Sequence, residues 1–111
     1  MDLYEVIISP KALSLLDGYI DYIQYKLKNE QAAEAVWQDA VETEAELEKA
    51  AGSLNYCTKP ILRELGYRSI LFRRHRYVML YRIEGRKAYV DGIYHLLQDY
   101  EKLFIQDLIS G

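Results

Sequence analysis

Reactive and ligating side chains are scarce in this chain. Its 111 residues include one cysteine, Cys57, two histidines, His75 and His95, and two prolines. A lone cysteine excludes an internal disulfide, which suits a reducing compartment. With no His or Asp motif around it, Cys57 reads as an inert thiol. One cysteine and two histidines offer no ligand pair at the spacing of a zinc site, so no metal and no cofactor are expected. No apolar run approaches the roughly 18 residues that a bilayer crossing needs. The opening Met-Asp-Leu-Tyr-Glu lacks the basic and apolar regions of a secretion signal, so a cytoplasmic protein away from membranes is expected. Repeats, low-complexity tracts and linkers are also missing. The length suits one domain, residues 1–111, with one core.

Positive charge, by contrast, is concentrated. The net charge is −3, but residues 59–87 carry 9 Lys/Arg against 2 Asp/Glu, while residues 1–58 carry 4 against 11. An acidic chain does not bind nucleic acid with its whole surface, yet a basic segment of this length can form one positive face. Alternatively, the arginines point outward along strands and only solvate a sheet.

The hydrophobic periodicity changes once along the chain. Residues 3–8 read as a strand rich in β-branched and aromatic residues. Ser9-Pro10 is a helix start, followed by Leu13, Leu16, Ile20, Ile23 and Leu27 on one apolar stripe. Asn29 is a cap for a second helix with Ala33, Val36, Trp37, Ala40, Val41 and Leu47 on its apolar face, and Gly52 can end it in a left-handed conformation. Glu42, Glu44, Glu46 and Glu48 on its last turns read as a solvated face. The short connection predicts an antiparallel helix hairpin. After Pro60, residues 61–65, 67–72, 77–83 and 88–94 read as strands. Their short links, including Gly85, demand antiparallel pairing. Residues 98–109 place Tyr100, Leu103, Phe104 and Leu108 at helical spacing. The expected fold is α+β: an N-terminal strand, an antiparallel two-helix hairpin packed on one face of an antiparallel β-sheet, and a short C-terminal helix.

This order, with Leu62-Arg63-Glu64-Leu65, then Arg76-Tyr77-Val78-Met79-Leu80-Tyr81-Arg82-Ile83, then Ile93-Tyr94-His95-Leu96-Leu97-Gln98-Asp99-Tyr100, resembles the RelE/ParE superfamily of toxins over roughly residues 3–104. The resemblance implies a type II toxin–antitoxin pair, with a cognate antitoxin that wraps the toxin. It also implies one of two targets, the ribosome with its mRNA or DNA gyrase; a degenerate member that only binds its antitoxin is the third reading. Ribonuclease members of the superfamily commonly carry arginine at Val78, arginine near Gln98 and an aromatic hydroxyl near Phe104, so this chain departs from them at three positions. The residues left for a metal-independent endoribonuclease are the candidates His95, Asp99, Tyr100 and His75 for catalysis. Arg63, Arg68, Arg73, Arg74 and Arg76 are left for holding RNA or another target.

Such cleavage needs a base for the 2′-hydroxyl, cations for the scissile phosphate and an acid for the leaving oxygen. Arginine grips phosphate bidentately, and histidine titrates near neutrality. His95 falls where the last strand gives way to the tail helix, and Asp99 at i+4 could orient its ring; alternatively His95 ties strand to helix. His75 lies among arginines as a usable base or as an exposed turn residue. Tyr77, Tyr81, Tyr89 and Tyr94 could stack on bases or serve the core, and Arg63 and Arg82 could be ion-pair partners within the fold.

Overall fold

The computed structural model describes residues 3–110. Its elements, in order, are β1 (Glu5–Ile8), α1 (Pro10–Asp21), a π-helical turn (Tyr22–Lys26), α2 (Glu30–Ala50), a 3-10 turn (Ala51–Ser53), α3 (Pro60–Glu64), β2 (Arg68–Leu71), β3 (Tyr77–Glu84), β4 (Lys87–His95) and α4 (Tyr100–Ser110). Both expected caps form. The Ser9 hydroxyl accepts from the Ala12 amide, with Pro10 at the first helical position, and the Asn29 side chain accepts from the Ala32 amide. Between these helices Lys28 takes the left-handed conformation, φ 53°, that reverses the chain.

The sheet order is β1-β4-β3-β2. β2, β3 and β4 form the expected antiparallel meander, but β1 pairs with β4 in parallel, Glu5 opposite Lys87 and Ile8 opposite Val90. The sheet is therefore mixed, not antiparallel throughout. The chain between β1 and β4 holds α1, α2, α3, β2 and β3, and so long a connection permits the parallel pairing that a tight turn does not. The expected strand at 61–65 is instead the short helix α3. Pro60 presets its first position, and Leu62 points into the core.

The helices also occupy both faces of the sheet, where one was expected. Against one face α1 and α2 bury Ala12, Leu16, Val36, Ala40 and Leu47 with Tyr77, Met79 and Tyr81 of β3. Against the other, α3 and α4 bury Leu62 and Phe104 with Val78, Leu80 and Tyr94. β3 is thus buried on both sides, and its alternate side chains serve two cores. A bulge between Leu80 and Tyr81 makes Asp91 the extra residue of β4. That residue shifts the inward parity from Ala88 and Val90 to Ile93.

Leu13, Leu27, Trp37 and Val41 were expected on buried faces but are 40%, 57%, 41% and 43% exposed. The buried line on α1 runs through Ala12 and Leu16, and that on α2 through Ala33, Val36, Ala40, Thr43 and Leu47. Small alanines face inward there, so the bulky neighbour one position on is carried off the contact. Gly52 does not end α2 in a left-handed conformation; Gly66 and Gly85 are the glycines with positive φ. What Gly52 supplies is space, because a Cβ there would collide with the Tyr4 hydroxyl. Among the described residues no helix is long and apolar enough to cross a membrane.

Candidate functional site

The best-furnished concavity lies where the end of α1, the start of α2 and the far end of the sheet meet. Two hollows of about 410 Å³ and 370 Å³ adjoin there and share Ile23, Leu27, Tyr77 and His95. The first adds Arg74, His75 and Arg76 from the β2–β3 turn. The second adds Tyr19, Tyr22 and Gln98. The π-helical turn shapes this groove, since its wider winding carries Tyr22 and Ile23 onto the rim.

His75 is held from below by Asp39, a fully buried carboxylate on α2. Asp39 Oδ2 lies 2.7 Å from His75 Nδ1 and accepts from the Arg74 amide at 2.9 Å; Oδ1 accepts from the Arg73 amide at 3.0 Å. Burial pushes the Asp39 carboxyl up, but the hydrogen bonds from His75 and from the Arg74 and Arg73 amides outweigh it. The carboxyl ends below its ordinary value and stays ionised. No motif marks Asp39 in the sequence. The available signal was its place between Val36, Ala40 and Thr43, a lone acid on the buried line of a helix.

His95 sits at the end of β4 with its ring edge-on to Tyr77 at 5.0 Å. Its Nδ1 accepts from the Leu97 amide at 3.1 Å, and its own amide donates to Gln98 Oε1 at 2.9 Å. Tyr19 lies 3.0 Å from the same Gln98 oxygen and from the Ile93 carbonyl. Burial, with Tyr77 beside it, pushes the Tyr19 phenol up to about 12, and burial raises Tyr77 as well. Both phenols remain neutral hydrogen-bonding groups at physiological pH.

The other expected site residues scatter. Asp99 does not orient His95; its carboxylate faces the Lys102 amide and caps α4, because the helix begins only at Tyr100. Tyr100 lines a separate hollow with Tyr56 and Ser69, under Lys59. Arg68 stacks over Tyr56 at 4.1 Å and donates to the Leu54 carbonyl, which makes it a brace for the chain after α2. Arg63 is exposed on α3. Arg73 and Arg74 meet Glu46 at 3.7 Å and Glu42 at 2.8 Å, so those two glutamates are ion-pair partners and not merely a solvated face. Arg76 is exposed and makes no ion pair among the described residues. Arg82 takes the internal role allowed for it, bound to Asp91 at 2.9 Å and to Glu84. Tyr81 and Tyr94 are core residues.

The three departures from the ribonuclease pattern fall in different places. Val78 and Phe104 are buried on the α3–α4 face of the sheet and do not line the groove, whereas Gln98 does.

Solved structures supply a match to this architecture. A chain described as "Chromosomal ParDE TA system from P. aeruginosa" superposes with a TM-score of 0.68 over 84% of this chain and 96% of that one, at 23% identity. The fold is ParE-like. No family model and no curated protein matches the sequence. At that identity the likeness speaks for the strand order and the helix placement of the ParE-like fold. It does not carry the chemistry of the groove.

Proposed function

We propose that the chain is the toxin of a type II toxin–antitoxin pair and that it arrests translation by cutting mRNA on the ribosome. The observation that carries this reading is the meeting of His75 and His95 in one groove edged by Arg74 and Arg76. An imidazole can take the 2′-hydroxyl proton, and the second imidazole and the guanidinium groups can hold the phosphate, which is the chemistry that metal-independent phosphodiester cleavage needs. The ParE-like fold supports the toxin part of the reading, since the matched chain comes from a TA system. A cognate antitoxin with an acidic segment suits the same rim, because Arg76 is unpaired among the described residues and Arg74 already meets one carboxylate.

The test is induction of the chain in a bacterial host, with protein and DNA synthesis labelled separately and mRNA ends mapped. Translation should stop first, with new cleavage sites inside coding regions. Arrest of DNA synthesis with intact mRNA would replace this reading by DNA gyrase poisoning. Growth that continues with neither arrest would point to a member that only binds its antitoxin.

A further inference from the structure

The two groove histidines are held by hydrogen bonds of opposite kind, and this inference, resting on the RNA-cleavage reading above, concerns what each can therefore do. Asp39 is ionised and can only accept, so the hydrogen shared at 2.7 Å belongs to His75 Nδ1, and the neutral ring therefore carries its lone pair on Nε2. The Leu97 amide can only donate, so His95 Nδ1 must accept, and its hydrogen sits on Nε2. Neither assignment depends on a rotatable hydroxyl or on an amide orientation. His75 is also the one with a carboxylate behind it, which steadies the imidazolium formed when Nε2 takes a proton.

We propose that His75 is the base of the reaction, that Asp39 is its positioning residue, and that His95 is a fixed hydrogen-bond donor to the phosphate. In the step, the 2′-hydroxyl hydrogen passes to His75 Nε2 and the 2′-oxygen forms a bond to phosphorus. The bond from phosphorus to the 5′-oxygen breaks, and that oxygen takes a proton from solvent. The products are a 2′,3′-cyclic phosphate and a 5′-hydroxyl, and His75 returns its proton to solvent. The His95 Nε2–H and the Arg76 guanidinium hold the non-bridging oxygens. The charged groups around His75 are Asp39, Glu42 and Glu46 from α2 and Arg73, Arg74 and Arg76 from its own turn, with His95 facing from β4.

Two measurements test this. Two-bond nitrogen–proton spectra of the whole chain at neutral pH should show His75 with its hydrogen on Nδ1 and His95 with its hydrogen on Nε2. Asp39→Asn should disturb the His75 pattern alone. The same tautomer at both residues would overturn the proposal whatever the target is. Cleavage is then followed on ribosomes carrying a defined mRNA. His75→Ala should slow it by about 100- to 10,000-fold, with partial recovery when imidazole is added to the buffer, a rescue that a merely structural histidine would not show. His95→Gln retains an N–H donor and should cost no more than about tenfold, the scale of one neutral hydrogen bond. If Asp39→Asn fails to fold, His75→Ala decides the matter, since that variant leaves Asp39 and its backbone bonds in place. Wild-type cleavage unchanged by His75→Ala would overturn the assignment but leave the ribonuclease reading standing. No cleavage by the wild type would overturn both.

Discussion

The Tyr81 hydroxyl donates to the Ala51 carbonyl at 2.7 Å, and both residues are fully buried. This bond fastens the middle of the sheet to the 3-10 turn after α2. Tyr81→Phe keeps the ring and removes that buried bond. The expected cost is about 1–3 kcal/mol of unfolding free energy, read as a lower urea midpoint with an unchanged slope.

Alkaline titration should single out five of the 11 tyrosines. Burial raises Tyr19 and Tyr81 to about 12 and pushes Tyr67, Tyr77 and Tyr94 up as well. A raised phenol stabilises the fold fully below its unfolded value of 10.0 and loses that contribution as pH climbs through its folded value. Absorbance from these five phenolates should therefore appear only above pH 10, in a phase that coincides with unfolding. A single phase at the ordinary value would show these rings to be open to solvent.

Acid should act through Asp39. Its carboxyl is held below the unfolded value of 3.8, so its stabilisation is present above that value and is lost as pH falls toward the folded one. The wild type should lose stability between about pH 5 and pH 3, and a folded Asp39→Asn variant should show a shallower slope across that window. Equal slopes would place the acid sensitivity elsewhere.

Gly92 marks where α4 comes closest to the sheet. A Cβ there would lie 2.6 Å from Tyr94 Cε2 and 3.0 Å from Phe104 Cδ1, both ring atoms in a packed core. Gly92→Ala should cost about 1–3 kcal/mol through overpacking. Hydrogen exchange should speed up most in α4, which is otherwise tied to β4 by the Tyr94 hydroxyl on Asp107 at 2.6 Å.

Local features were legible in the sequence, and features joined across long separations were not. Ser9, Asn29 and Gly85 announce their cap and turn positions because the relevant hydrogen bonds and dihedrals lie within three residues. The parallel pairing of β1 with β4 has no such local mark. α3 was hidden because Ile61, Leu62 and Leu65 fit a strand as well as one helical turn. In the site, the sequence pointed to His75, His95, Arg74 and Arg76, which do meet in one groove. It gave no reason to join Asp39 to His75, whose connection depends on how α2 lies over the β2–β3 turn. It also misplaced Asp99 and Tyr100, since a shift of two residues in a helix start turns a side chain to another side.

The parallel edge of the sheet has a consequence for synthesis. Glu5 lies opposite Lys87, so β1 leaves the ribosome long before β4 and waits for it before the two can pair. Asp39 and His75 emerge earlier, but His95, at the end of that final strand, completes the groove. A nascent copy therefore carries no finished groove until β4 has joined the sheet, however early Asp39 and His75 have emerged.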